Sequence, residues 1–261
     1  MDMINKTRLL TGLMLGCVVS TPVLAEEYRG FYFSVWGGAG MTDMPSRTDI
    51  DKTFDTNWVQ DILNNIADDY NDDPDVTGTL TLTDVSRDPS TLDDSTSVWG
   101  ALVGYRFNKW VGMEIGYVNL GEVKYDFDGV LNSTFVPDLG ATDSEDIDYA
   151  MGYRFSSAGP TASVVAFVPV GQYFDFNAKA GIFLADTRQT IRLTDVAAKQ
   201  NFYHERIDAS QTELFAGVGA TWNATPNLAV RVEYQRFFDV GDDSKAYEQD
   251  IDVINVGVLF K

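Results

Sequence analysis

Segments about ten residues long recur along this chain with side chains that alternate in character, and the alternation has an unusual sense. Trp99, Ala101, Val103, Tyr105 and Phe107 share one face of an extended strand; Gly100, Leu102, Gly104 and Arg106 share the other. Val111, Met113, Ile115 and Tyr117 likewise oppose Gly112, Glu114 and Gly116. A soluble β-sandwich buries its better apolar face against a second sheet and leaves its charges scattered in water. Here the second face holds glycines and charges, while the first is apolar along its whole length. That is the pattern of a sheet closed on itself, with lipid outside and a polar lumen inside. A tilted strand needs about 9–11 residues to cross a bilayer, which matches the length of the runs.

The same pattern continues down the chain. Phe174, Phe176, Ala178, Ala180 and Ile182 oppose Asp175, Asn177, Lys179 and Gly181. Leu214, Ala216, Val218, Ala220 and Trp222 oppose Phe215, Gly217, Gly219 and Thr221, and Leu228, Val230, Val232 and Tyr234 oppose Ala229, Arg231, Glu233 and Gln235. Val256, Val258 and Phe260 close the series, and residues 31–40 and 161–170 complete eight strands. The expected fold is all-β: a closed eight-stranded antiparallel transmembrane barrel. Tyr105, Phe107, Trp110, Phe174, Trp222 and Phe260 fall at strand ends, where aromatic rings form an interfacial girdle. Three connections are short: Asn108-Lys109, Gly171-Gln172, and Asn223 to Asn227. They alternate with four long ones, the longest from Met41 to Ser97, as periplasmic turns alternate with extracellular loops. Closure removes the edge strands that hydrocarbon would not tolerate.

Residues 1–25 stand apart. Lys6 and Arg8 precede an apolar stretch, Leu9 to Val19, and Val23-Leu24-Ala25 supplies small residues before Glu26. This predicts a secretory signal peptide, too short for a membrane span, ahead of a single barrel domain over 26–261. Cys17 is the only cysteine, and cleavage after Ala25 leaves the exported chain with none. No later segment offers the 18 consecutive apolar residues of a membrane helix. The formal net charge is −20, and removing Lys6, Arg8 and Asp2 with the leader makes it −21. Much of it is concentrated: 14 acidic against 3 basic residues between Met41 and Ser97, and 7 against 1 between Asp126 and Pro160. Such surfaces repel nucleic acid and suit solvated loops.

One loop segment has a different period. Phe54, Trp58, Ile62 and Ile66 recur every four residues, with Val59 and Leu63 beside them. This predicts an amphipathic helix from about Asp55 to Asp68, started by Asp55 or Thr56 as N-cap. It would pack on its own loop or cap the barrel mouth; the alternative is a helix that docks a partner or a membrane surface.

The run Gly100-Ala101-Leu102-Val103-Gly104-Tyr105-Arg106-Phe107-Asn108-Lys109-Trp110-Val111-Gly112-Met113-Glu114-Ile115-Gly116-Tyr117, followed by Leu120-Gly121, resembles a hairpin of the outer-membrane protein A family. Thr225-Pro226, Arg231-Val232-Glu233-Tyr234-Gln235 and Val240-Gly241-Asp242 resemble the same family, as do Pro169-Val170 and Ala178-Lys179-Ala180-Gly181. The resemblance implies a barrel in the Gram-negative outer membrane with a mostly closed polar interior. It also implies a lumen gate in which a glutamate pairs with an arginine, here Glu114 and Arg231. The family's second lysine–glutamate pair falls on Val165 and Thr221, which leaves the alternative partner missing. Arg106, Lys179 and Glu233 also point inward, so the lumen charges have other ways to pair. Longer members of the family add a periplasmic peptidoglycan-binding domain, which is not expected here, and the aromatic that usually ends them is followed by Lys261.

Enzymatic chemistry is not expected. His204 is the single histidine, flanked by Tyr203 and Glu205, and the nearest serine downstream is Ser210. Asp68 to Asp75 is acidic like a calcium loop but has proline where the turn glycine belongs, so neither a metal nor another cofactor is expected. The leading expectation is a structural and surface protein that supports the outer membrane and presents acidic loops. A narrow ion or solute channel is the alternative, and a lipid-modifying enzyme a remote one. The expected partners are outer-membrane lipid and lipopolysaccharide, the barrel-assembly machinery through the C-terminal strand, and an unknown loop ligand.

Overall fold

The computed structural model describes residues 29–42, 47–93, 95–242 and 246–261. The expected signal peptide lies outside the described residues. The elements in chain order are β1 (Gly30–Thr42), α1 (Arg47–Thr53), α2 (Thr56–Asn71), β2 (Gly78–Arg87), β3 (Thr91–Asp93), β4 (Ser95–Arg106), β5 (Val111–Pro137), β6 (Asp143–Val170), β7 (Phe174–Asp195), β8 (Gln200–Asn223), β9 (Leu228–Asp242) and β10 (Ala246–Phe260). Eight of the strands form a ring in which β1, β4, β5, β6, β7, β8, β9 and β10 each pair antiparallel with the next. β1 closes the seam on β10, from Phe33 opposite Phe260 to Thr42 opposite Ile251. No free strand edge faces lipid in this ring, as hydrocarbon requires. The eight expected strands, their alternation and the three short turns are all present.

The four long connections are a correction. Three of them are largely strand. β5, β6, β7 and β8 run 27, 28, 22 and 24 residues, at least twice the crossing length of about 9–11. β1, β4, β9 and β10 stop at 13, 12, 15 and 15. The barrel therefore has one tall wall and one short wall on its outer side. His204, expected in a loop, sits in β8.

The first connection also holds more than one helix. α1, α2, β2 and β3 occupy it, with β2 paired to the upper part of β5 from Gly78 opposite Pro137 to Arg87 opposite Gly129. α2 begins where the sequence placed it: the Asp55 carboxylate accepts from the Trp58 backbone N–H at 2.9 Å. The fully buried stripe is Val59, Leu63 and Ala67, flanked by the half-buried Trp58, Ile62 and Ile66. α2 also covers the outer edge of β2. The Asn71 side chain both donates to the Leu80 carbonyl (2.9 Å) and accepts from its N–H (2.7 Å), and Gln60 donates to the Leu82 carbonyl (2.6 Å). Two amide side chains thus stand where a further strand would pair, which blunts an otherwise open edge.

Ile50 and Phe54 of α1 and its exit, the α2 stripe, and inward residues of the tall wall form one apolar cluster. Phe54 lies between Tyr125 and Tyr153, with ring centroids 5.9 and 5.8 Å away. The cluster continues downward through Val118, Phe183, Phe215, Phe237 and Ile251 into the mouth of the barrel. The helices are therefore a cap over the mouth, the first of the roles expected for the loop helix.

A polar latch holds the cap. Asp51 accepts from Ser90 and Tyr125 (both 2.6 Å) and from Arg87, whose guanidinium lies 4.2 Å from the Phe127 ring. Burial pushes the Asp51 carboxyl up, but hydrogen bonds from Ser90, Tyr125 and Arg87 outweigh it and hold the group below the usual carboxylate range. A depressed folded pKa contributes stability above the unfolded value of about 3.9 and loses it as pH falls through the folded value. α1 is accordingly expected to stay latched down to about pH 4. Asp51→Asn should loosen it at pH 7 by about 1–2 kcal/mol. Hydrogen exchange of the α1 amides, corrected for intrinsic rate, reads both effects; unchanged protection in the variant would mean the latch carries no load.

Candidate functional site

Inside the ring, the polar face of each strand converges on a layer of charges. Glu114 comes from β5, Lys179 from β7, and Arg231 and Glu233 from β9, all buried. Glu114 accepts from the Tyr32 hydroxyl (2.6 Å) and from Arg231 (2.6 Å), and lies 3.5 Å from the Lys179 ammonium. Glu233 lies 2.8 Å from Lys179 and 3.6 Å from Arg231, and accepts from Asn177 and Gln235. Each cation thus touches both carboxylates, and the four charges sum to zero. Thr221 accepts from the Arg231 Nε at 3.1 Å. In a low-dielectric lumen such mutual pairing is what makes buried charge tolerable.

Glycines make the room. At Gly104 a Cβ would fall 2.2 Å from the Tyr32 ring, so only glycine lets that ring lie flat and aim its hydroxyl at Glu114.

The positions expected for the second pair hold no charge, and other inward charges pair instead. Val165 and Thr221 do point into the lumen, and neither is charged. Yet Val165 stands directly opposite Lys179 on the neighbouring strand, and Glu233 stands opposite Gly219, two residues from Thr221. The lysine and glutamate are supplied one strand over and reach the same layer. Alignment by position could not find them, but the inward parity of Lys179 and Glu233 could.

A second ion pair lies nearer the short turns. Arg106 contacts Asp175 at 3.2 Å, covers the Phe167 ring at 4.2 Å and donates to the Lys109 carbonyl. Asn223 also donates to Asp175, and Lys261 donates to Asn223. Two small cavities flank the central layer. One of about 20 Å³ lies between it and Phe215 and Phe237; one of about 10 Å³ lies between it and Arg106 and Asp175. Each holds about one water at most.

On the outside, the apolar positions expected to face lipid are exposed, among them Val103, Ile115, Val164, Phe176, Val218 and Val256. The six girdle aromatics cluster at the end carrying the short turns. Tyr105 packs on Phe107 (5.1 Å), Phe33 on Phe260 (6.4 Å), and Phe174 pairs with Trp222 across β7 and β8. Trp110 stands in the turn before β5. Trp99 and Tyr117, with rings 6.1 Å apart, begin the opposite belt, which the sequence reading did not single out.

Comparison with known proteins agrees with this geometry. The family model described as the OmpA-like transmembrane domain matches residues 63–261. Outer membrane protein A of Escherichia fergusonii is 26% identical over 165 residues, covering 62% of this chain and 39% of that protein. The Klebsiella pneumoniae protein of the same name is 24% identical, with 62% and 40% covered. The match thus spans about two fifths of the length of these relatives. Among solved structures, the attachment invasion locus protein Ail of Yersinia pestis aligns over 89% of this chain and all of its own, at 14% identity and a TM-score of 0.33. The outer membrane protease OmpT of Escherichia coli aligns over 92% and 98%, at 10% identity and a TM-score of 0.38. With the family model covering most of the chain and a closed eight-stranded ring carrying its lumen charges, the chain belongs to the OmpA-like transmembrane domain family of Gram-negative outer-membrane β-barrels.

Proposed function

We propose that this protein is a sealed structural barrel of the outer membrane that carries a rigid, helix-capped surface structure outside the cell. The observation that supports it is the filling of the lumen. Above the paired charge layer, one apolar cluster runs from Phe215 and Phe237 up to Leu63 of α2, with Ser157, Thr187 and Gln189 buried beside it. An eight-stranded barrel is only wide enough to be filled by side chains, and this one is filled along its length. The family implies the outer membrane; residues 1–25 would direct export there, and β10 would engage the assembly machinery. The cap and tall wall are the surface on which a loop partner would bind.

The refolded chain over 26–261 is expected to give no discrete openings in a planar bilayer. Heat-modifiable migration on a gel shows independently that the barrel has folded. Reproducible openings from folded protein, altered by Arg231→Ala, would overturn the sealed reading in favour of a narrow channel. The second reading has one observation behind it: the two cavities stand in line on either side of the charge layer, so exchange of partners among Glu114, Arg231, Lys179 and Glu233 would join them. A gate role for Glu114 and Arg231 belongs to that reading. Catalysis is not part of either. His204 stands on the exposed outer face of β8 opposite Arg192, three outward positions from Ser210.

A further inference from the structure

Three side chains from three strand ends meet on the lumen side of the short-turn end. Asp175 is the second residue of β7, Asn223 is the last of β8, and Lys261 follows β10. Inward parity brings them together: Asp175 continues into Asn177 and Lys179, Thr221 precedes Asn223, and Leu259 precedes Lys261, all four of these neighbours being buried. The Lys261 ammonium donates to Asn223 Oδ1, and Asn223 Nδ2 donates to Asp175 Oδ2 at 2.9 Å. That order orients the amide, with its oxygen toward the lysine and its nitrogen toward the carboxylate. Backbone bonds fix both ends of the contact. The Asn223 N–H donates to the Tyr173 carbonyl at 2.7 Å, and the Lys261 N–H donates to the Asn227 carbonyl at 3.0 Å. Arg106, 3.2 Å away, fixes Asp175 in turn. Phe167 and Leu259 line the cavity of about 10 Å³ beside the group.

We propose that Lys261 and Asn223 join in an intramolecular isopeptide bond, with Asp175 as the catalytic acid and base. An amine, an amide and a carboxylate in contact are the groups this reaction needs. A proton passes from the Lys261 ammonium to the Asp175 carboxylate, leaving a neutral amine beside a carboxylic acid. The amine lone pair forms the Cγ–Nζ bond, and the Cγ–Oδ1 π pair moves onto oxygen. As that pair returns, the Cγ–Nδ2 bond breaks. Nδ2 takes up the two protons that Nζ gives up, one of them handed over by Asp175, and leaves as ammonium. Ammonium and primary amide thus become secondary amide and ammonium, with charge conserved and Asp175 ionised again. Burial, helped by the Arg106 and Arg231 cations, pulls Lys261 down to about 8 against the opposing pull of Asp175, so neutralising the nucleophile is made easier. The same two cations favour the negative charge that develops on Oδ1. Holding the reactants in contact removes the entropic part of the barrier. The bond would close residues 223–261 into a covalent ring containing β9 and β10, and β10 is the strand that seals the barrel against β1. Such a cross-link restricts the unfolded chain as a disulfide does, without a cysteine.

The test weighs the intact exported chain, purified from outer membranes, by mass spectrometry. Wild type is expected at the mass of its sequence less one ammonia, and its protease digest should contain a branched peptide that joins Lys261 to Asn223. Lys261→Arg keeps the cation but removes the nucleophile, and Asn223→Ala removes the acceptor. Both should carry the full sequence mass, keep heat-modifiable migration, and show a lower heat-modification midpoint than wild type. The rate of ammonia loss during refolding of wild type reads the role of Asp175. One proton shared by Lys261 and Asp175 serves the step, so the rate should hold steady near pH 7 and fall above about pH 8, where that proton is lost. A rate that climbs above pH 8 would remove Asp175 from the step. Full sequence mass in folded wild type would overturn the proposal, and so would ammonia loss that persists in Lys261→Arg, which marks a backbone succinimide instead.

Discussion

Glu114→Ala is expected to lower the stability of the barrel by about 3–5 kcal/mol, because it leaves buried cations without their compensating charge. Glu114 is the point where Tyr32, Arg231 and Lys179 meet. Its removal leaves two cations, Arg231 and Lys179, to be shared by Glu233 alone and gives the layer a net charge of +1. The urea midpoint of unfolding from lipid vesicles measures the loss, and the heat-modification midpoint should fall with it. Arg231→Ala should cost a comparable amount with the opposite sign of stranded charge. The double variant restores neutrality, since Lys179 and Glu233 remain paired at 2.8 Å. It should therefore be less destabilised than the sum of the two single changes, by a coupling of about 1–3 kcal/mol. An unchanged midpoint in Glu114→Ala, or strict additivity in the double variant, would mean that the charges are solvated and the lumen is wetter than its packing implies.

The membrane-embedded half of the molecule was legible because lipid imposes one rule on every strand: apolar outward, polar inward, for about ten residues. Arg106, Glu114, Lys179, Arg231 and Glu233 declared themselves by parity alone, and all five are buried in the lumen. The extramembrane half resembles loop in sequence for two physical reasons. Above the membrane the sense of the alternation reverses, with Val123, Tyr125 and Phe127 inside and Lys124, Asp126 and Asp128 outside, as in a soluble sheet. The reversal is accompanied by a one-residue slip. β5 carries a bulge between Asn119 and Glu122, with Gly121 at φ 81°, so inward positions change from even to odd numbers. A search for unbroken period-two alternation ends at such a bulge, and the dense carboxylates beyond it look like loop. Tyr149, Met151, Tyr153 and Phe155 on β6 carry the same signal and were equally available. The helix was legible because its period differs from everything around it. Its buried stripe was read one residue early, since Trp58 and Ile62 are wide enough to reach the core from the flank.

Leu63→Asp is expected to release the cap without unfolding the barrel. Leu63 is fully buried at the centre of the α2 stripe, and placing a carboxylate there without a partner costs several kcal/mol. That exceeds what an isolated 16-residue helix can recover from its own hydrogen bonds. The ring below does not depend on it. All eight ring strands are held by continuous cross-strand ladders, none of which passes through α1 or α2. Protease should therefore cut the variant within 47–93 while the remaining barrel keeps its heat-modifiable migration. Conductance should stay absent as well, because Phe183, Phe215 and Phe237 still close the mouth beneath the cap, and the neutral charge layer closes the lumen beneath them. If cutting is accompanied by loss of heat-modifiability, the cap is part of the barrel's folding unit. If the uncapped barrel conducts, α1 and α2 are the seal rather than the aromatic and charged layers. Combining Leu63→Asp with Glu114→Ala tests the aromatic layer by itself: conduction should stay absent while Phe183, Phe215 and Phe237 close the mouth, and openings would mean that the charge layer is the seal.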